Sequence, residues 1–593
     1  MYTIFLNINL NLFKYKFDKI NIIIIIILYN MSITILPNTN DSIDDTYYIH
    51  NMIEFSIKDI SSSLANTIRR TILSNIPSVA FDDTWNEHET KRYINITKNT
   101  SGLHNEFFAH RLSLIPIYVY NDNTRSVLKI NTGFNKQTHT REYTFYSEDI
   151  PTFFIHIDKQ EIESNTDAKN KYGLFEMTTN HIQYSPEYSS DIDCSEYFPS
   201  DLYINEVFKE KHYVVLNMLK SNEEISAYLY PTIGLGKDNA RYCNVGTVSF
   251  RFEEDDSKYE QVFTQTIEYE NKERIEKQIH RLTDEEIANK KKSFMLLDKE
   301  RVFKTDIYNE PNSFIFKVES IGMLPSHQIV YDAFTICSLQ LQDIVHSFNY
   351  FEQYGNNVMY NDSHRMFNDK IHIVHSMDTL YGYKLIIQNE NHTFGNVINH
   401  YIDTLFVKNY MTSTTIDINT LDSISLIDIE ANDLQSFKVP FLEQCGYKMP
   451  HPLNEEVEFK IKVRDDIPDT IIDELYNKYS LELIQLYNIK QGSEDRTVTL
   501  IDKRKILVIY SFIKSILTIN NILTMLSSQW TSETTSFKHP IQTSSFNIMD
   551  SIEFQTLGQS KVASTDIETP VSVELMETGG SVKRRKSDGM RFK

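Results

Sequence analysis

Leu64, Ile68, Ile72 and Ile76 recur at every fourth position. That period keeps them on one face of a helix. Ser61 to Ser63 offer an N-cap, and Pro77 closes the helix. At about 100° per residue, Arg70 falls almost opposite the apolar stripe and Arg69 beside it. Such a helix buries one face and shows a cation elsewhere. On spacing alone, Arg69 and Arg70 read as a solvated face. The stretch before it, Tyr48 to Ile57, reads as a strand.

The same grammar returns further on. Phe314 to Glu319 reads as a strand, and a long helix starts at Pro325-Ser326. Its stripe is Val330, Ala333, Phe334, Cys337, Leu341, Ile344, Val345 and Phe348, in which Cys337 acts as a small hydrophobe. Tyr383 to Gln388 is a strand. From Phe394, apolar residues at Val397, Ile398, Tyr401, Ile402, Leu405 and Phe406 mark the cleanest amphipathic helix of the chain. Glu456 to Val463 alternates like a strand, and helical stretches follow at 467–489 and 503–529.

Other segments have a different texture. Residues 84–246 are mixed, with strand-like pieces such as Tyr143 to Tyr146, and Val245 to Glu253 returns to strand character. Residues 254–300 are highly charged and read as an exposed helical excursion. Residues 351–378 are polar and read as a linker, and 408–437 are acidic and irregular. Beyond Trp530 the composition turns to Ser, Thr, Gly and Glu, too polar to fold alone. The tail ends in Lys583-Arg584-Arg585-Lys586, a weak nuclear-localisation or anion-binding pattern that chance explains as well. Residues 1–30 end in an apolar run far below the ~20 residues that span a bilayer. No small-residue cleavage site follows, so Met31 is expected as the functional start.

Composition narrows the function. The chain has 593 residues, is 41% hydrophobic and carries a net charge of −22. It can build several cores. As a whole it would be repelled by a nucleic-acid duplex, so any such contact must be local or made by a partner. Four cysteines, Cys194, Cys243, Cys337 and Cys445, are far apart, with neither a zinc spacing nor a disulfide framework.

Catalytic patterns fare poorly. Gly234-Leu235-Gly236-Lys237 lacks the rest of a phosphate loop and reads as a turn. Asp82-Asp83 is not the aspartate cluster that holds two magnesium ions, and reads as a solvated turn. No Gly-x-Ser-x-Gly occurs. His104 and His110 read as hydrogen bonders that brace a loop.

The motifs themselves show a resemblance. Leu64 to Pro77, Asn99 to Pro116, the turn Gly234 to Val248 and Phe314 to Gly322 resemble the D-type subunit of archaeal RNA polymerase and the third subunit of eukaryotic RNA polymerase II. They are distantly similar to the bacterial alpha subunit. His392 to Asn396 and Gly446 to Leu453 resemble the L-type subunit and its eukaryotic eleventh-subunit counterpart. Both sets lie in one polypeptide, a fusion similar to those of large DNA viruses of eukaryotes, whose AT-rich coding style also fits.

The resemblance implies an α+β fold. Two alpha-subunit-like dimerisation units would pair within one chain, with an inserted mixed α/β domain in the N-terminal half. The expected divisions are an extension (1–47) that is disordered or an over-called start, a D-type dimerisation domain (48–83 and 247–350) holding the inserted domain (84–246), and a linker (351–378). An L-type domain (379–530) and a disordered tail (531–593) follow. Residues 408–437 and 467–500 read as insertions in the L-type half. Leu64, Ile68, Ile72, Phe394, Val397, Ile398, Tyr401 and Ile402 would make the intramolecular pairing.

The implied function is a non-catalytic assembly scaffold of a DNA-directed RNA polymerase. Asn66, Arg69, Arg70, His110 and Arg111 would bind a partner. The second-largest subunit would dock first, then the largest, with small polymerase subunits beside them. DNA would be met only through the complex. No cofactor, metal, membrane or homo-oligomer is expected. Transcription would run in the host cytoplasm, at a virus factory and in the virion, with the nucleus left open. The competing reading is a free-standing transcription regulator or interaction protein.

Overall fold

A computed structural model describes residues 31–36, 52–86, 91–119, 128–135, 140–164, 172–188, 193–199, 213–306, 308–349, 365–367, 370–376, 381–408, 441–487, 500–535, 537, 541–542 and 546–549. All of them belong to one compact unit within Phe17–Ile552.

In chain order the N-terminal part runs β1 (Ser32–Ile35), β2 (Met52–Lys58), α1 (Ser62–Ser74), β3 (Pro77–Phe81), β4 (Ile94–Asn99) and α2 (Asn105–Ser113). Then come β5 (Ile130–Asn135), β6 (Thr140–Phe145), β7 (Phe153–Ile157), β8 (Ile182–Tyr184), β9 (Val215–Leu219), β10 (Ile225–Leu229) and β11 (Pro231–Leu235). β12 (Val245–Phe252), α3 (Tyr259–Glu276), α4 (Asp284–Leu297), β13 (Ser313–Ser320) and α5 (Ser326–Asn349) follow. The C-terminal part holds β14 (Arg365–Phe367), β15 (Ile371–His375), β16 (Gly382–Gln388), α6 (His392–Ile402), β17 (Leu442–Lys448), β18 (Glu456–Val463), α7 (Asp469–Tyr487), α8 (Leu500–Glu533) and β19 (Phe546–Met549).

The fold is mixed α+β. One antiparallel sheet has the order β1-β2-β13-β12, and another the order β14-β15-β16-β18-β17. The long helices pack together: α1 on α5 and α6, and α8 on α5, α6 and α7. Directional bonds join them. Thr67 Oγ1 donates to the Thr393 carbonyl (3.3 Å), and Asn75 Nδ2 to Gln340 Oε1 (3.2 Å). Trp530 of α8 is fully buried against Phe55 of β2 (centroids 4.8 Å) and donates from Nε1 to the His327 carbonyl at 2.9 Å.

α8 is enclosed by protein on all sides from Arg504 to Ile516. Ile506 to Tyr510 are buried in an unbroken run. The stretch Lys503–Glu533 is long and apolar enough to cross a bilayer, and 89% of its most apolar window is buried inside the protein.

Residues 84–246 contain an antiparallel sheet of order β8-β7-β10-β4. Its edge with the preceding segment is not clean, because β3 pairs along β11 from Pro77↔Leu235 to Phe81↔Pro231. The charged excursion after β12 is a helical pair, α3 and α4, around Phe263, Phe294 and Val302.

Several expectations from composition fail. Within the extension, Ser32–Ile35 is a strand paired with β2, and Met31 is buried. Within the linker, Ile371–His375 pairs with β16, with Ile371 and Ile373 buried. The polar flanks hid that period-two alternation. Within the tail, α8 continues to Glu533 and Phe546–Met549 pairs in parallel with β5. A four-residue strand draws its stability from its partner, which composition does not reveal. The helical stretch read at 467–489, by contrast, is present as α7 (Asp469–Tyr487), packed on α8. The stretch 408–437 lies outside the described residues apart from Lys408.

Candidate functional site

α1 is built as its sequence directs. The Leu64 N–H donates to the Ser61 hydroxyl (3.2 Å), which caps the helix. Leu64, Ile68 and Ile72 are buried. On the other side Asn66 and Arg69 are half-buried and Arg70 is exposed. The Arg69 guanidinium donates twice to Asn66 Oδ1, at 3.2 and 3.0 Å. This holds Arg69 along the helix and leaves Arg70 as its outward cation.

The glycine turn closes the end of α1. The Lys237 N–H donates to the Ser74 carbonyl at 3.0 Å. A Cβ on Gly236 would stand 2.8 Å from the Leu73 carbonyl oxygen, so only glycine allows this approach. Asp82 and Asp83, expected to be solvated, both pair with the buried Arg241, at 2.7 and 2.5 Å. Arg241 sits just after the turn, and its charge needs these partners when buried.

α2 packs on β3 and β4 through the buried Phe108 and Leu112. Its outer face carries Phe107, His110, Arg111 and Leu114, with Phe107 68% and Leu114 50% exposed. Their spacing of three, four and seven puts them on one side of a helix. Arg111 Nη2 donates to the Val215 carbonyl at 2.8 Å. His104 caps the helix by accepting from the Glu106 N–H (3.4 Å). The exposed His110 ring has no hydrogen-bond partner among the described residues, so it does not brace the loop as read from sequence.

α1 runs into β3, on which α2 packs, so β3 is the element the two candidate clusters share. Sequence reasoning missed Phe107 and Leu114. The signal was available: two large apolar residues on the side of α2 opposite Phe108 and Leu112.

The other candidate group is interior. Phe394, Val397, Ile398, Tyr401 and Ile402 are buried on α6, which packs on α1 and α8. Burial raises the Tyr401 phenol pKa above the ordinary value. Cys337 on α5 is fully buried and has its thiol pushed up to about 12 by burial. Such a thiol is inert. Among the described residues, no group of three or more His, Cys, Asp or Glu is placed to hold a metal ion.

α1 and α2 thus each present exposed cationic side chains, beside exposed apolar ones on α2. Residues 54–341 match the RNA polymerase Rpb3/Rpb11 dimerisation domain. The chain is 24% identical over 312 residues to the human DNA-directed RNA polymerases I and III subunit RPAC1, covering 50% of this chain and 81% of that protein. It is 22% identical over 306 residues to the Arabidopsis thaliana DNA-directed RNA polymerases II, IV and V subunit 3, covering 49% and 86%. A shorter match, 37% over 67 residues, reaches the Schizosaccharomyces pombe DNA-directed RNA polymerase II subunit RPB3, covering 11% and 19%. Over these stretches the chain is similar to RNA polymerase alpha-like subunits.

Proposed function

We propose that the chain is the non-catalytic assembly scaffold of a DNA-directed RNA polymerase. In this reading it fuses a third-type and an eleventh-type subunit whose halves mate within one polypeptide. The contact of α1 with α6, pinned by Thr67 on the Thr393 carbonyl, carries the reading. Two strand–helix units far apart in sequence bury their apolar stripes on each other there. Joining both modules in one chain makes their encounter intramolecular, so the fused pair needs less surface affinity than two free chains.

Asn66, Arg69, Arg70, His110 and Arg111 would form the docking face for the second-largest subunit, with Phe107 and Leu114 as its apolar anchors. The largest subunit and small polymerase subunits would join afterwards. The fusion and the AT-rich coding style support a setting in a large DNA virus of eukaryotes, with transcription in host cytoplasm and virion.

The test is affinity purification from infected cells, with mass spectrometry of what co-elutes. Two very large polypeptides should appear in stoichiometric amounts, and Arg70→Glu with Arg111→Glu should lose them while the chain stays folded. Recovery of DNA or one small partner would instead identify a free-standing regulator. Polymerase or hydrolase turnover by the isolated chain would end the scaffold reading.

A further inference from the structure

The segment after α8 returns to the N-terminal part of the chain. The Phe537 ring meets the His327 ring edge-on, with centroids 5.3 Å apart. Next, the fully buried Gln328 side chain reads the backbone of Gln542 in both directions. The Gln542 N–H donates to Gln328 Oε1 (2.9 Å), and Gln328 Nε2 donates to the Gln542 carbonyl (3.3 Å). Gln328 Nε2 also donates to Asp332 Oδ1 (2.8 Å), which fixes the amide's orientation. Phe546–Met549 then lies in parallel register beside β5, from Phe546↔Ile130 to Met549↔Gly133.

The hairpin that receives this strand is held on the far end of α5. Arg141 of β6 forks onto Asp343, and the Phe134 ring of β5 meets the His346 ring at 5.9 Å. Gln328 and Asp343 are about 22 Å apart along the helix axis. A chain from position 542 to position 549 reaches about 23 Å when extended. That reach equals the separation of the two anchor points on α5.

The same device serves the other end of the chain. Gln529 of α8 accepts from the Ile33 N–H (3.2 Å) and donates to the Met31 carbonyl (3.4 Å). In both cases a glutamine amide on the helix layer imitates a strand neighbour. It recognises backbone, not side chains.

We propose that Gln328 and the edge of β5 form a capture site for an extended polypeptide strand. The chain's own Gln542 and Phe546–Met549 fill it, and that occupancy holds the β5–β6 hairpin against α5. Recognition runs through main-chain groups, as in strand addition to an open sheet edge, so the strand's sequence is loosely specified. This site is independent of the polymerase reading and stands whether or not large subunits bind.

The experiment compares the full chain with one ending at residue 540, by hydrogen–deuterium exchange over 130–145 and 326–349. β5 amides not bonded to β6 should exchange at least about tenfold faster in the shortened chain. A synthetic peptide of residues 538–552 added in trans should restore the slow exchange. The same peptide with proline at 547 and 548 should not, because it lacks those main-chain donors. In the full chain, Asn547→Pro with Ile548→Pro should reproduce the loss without shortening the protein. If the shortened chain does not fold, this variant decides. Unchanged β5 protection in it, or in a folded shortened chain, overturns the proposal, as does failure of the unmodified peptide to restore protection.

Discussion

Asp343→Ala should be among the most damaging single changes outside the apolar core. Arg141 reaches Asp343 with two bonds, Nε to Oδ2 at 2.8 Å and Nη2 to Oδ1 at 2.5 Å, and both side chains are only 8% exposed. Removing the carboxylate strands a guanidinium that keeps its bond to the Thr132 hydroxyl at 3.1 Å. Breaking one side of a buried pair costs about 3–5 kcal/mol. Replacing both sides, Arg141→Met with Asp343→Leu, should fall within about 1 kcal/mol of the parent, because no charge is left buried. The pair also sets a pH dependence. Burial raises the Asp343 carboxyl from 3.8 to about 6, against the opposing pull of Arg141 and Lys370. The folded state thus holds this proton more tightly than the unfolded chain. Its contribution is full below about pH 3.8 and is lost as pH rises through about 6, an effect of about 3 kcal/mol. Urea midpoints followed by Trp530 fluorescence in a Trp85→Phe background, from pH 4 to 7.5, measure both effects. Asp343→Asn should flatten the decline. A double variant as unstable as the single one, or equal pH slopes for parent and Asp343→Asn, would refute the reasoning.

Trp530→Ala should cost about 3–5 kcal/mol through the cavity it leaves beside Phe55. Trp530→Phe, which mainly frees the His327 carbonyl, should cost about 1 kcal/mol, read as urea midpoints by circular dichroism. Gly236→Ala should lower stability by about 1–3 kcal/mol, since its Cβ meets the fixed Leu73 carbonyl, and thermal melts would show it. Arg241→Ala should cost more than Asp82→Ala and Asp83→Ala taken singly. Each aspartate change leaves Arg241 one carboxylate, whereas losing Arg241 leaves Asp82 and Asp83 side by side. Equal melting points for the three variants would contradict that ranking.

What the sequence disclosed follows from what is local. α1 and α6 were legible because each has one apolar stripe and one polar side, so periodicity and N-cap agree. α8 could be placed but its role could not, because a helix buried on all sides has no face for a pattern to mark. The ion pairs of Arg241 join residues 158 and 159 positions apart and leave no local trace. β19 is four residues long in a polar stretch, and it exists through β5. The outer face of α2 was half legible: His110 and Arg111 were found through their motif, while the segment was read as a loop and Phe107 and Leu114 were not singled out.

The directional contacts fall at a particular kind of place. Arg141 with Asp343 joins positions 202 apart, Gln328 with Gln542 joins positions 214 apart, and Gln529 with Met31 joins positions 498 apart. Lys408 with Glu310 and Thr67 with Thr393 likewise bridge distant segments. Apolar faces attract without direction, so stripes such as those of α1, α5, α6 and α8 supply adhesion but tolerate sliding by a turn. A fork of two bonds, or an amide that reads one backbone position, does not tolerate it. The division of labour is that burial closes the structure and these polar contacts set its register. That division explains why the paired replacement at Arg141 and Asp343 should leave stability nearly intact. What it should lose is alignment: the β5–β6 hairpin would keep contacts such as that of Phe134 with His346, but not the two-bond fork that fixes its position on α5.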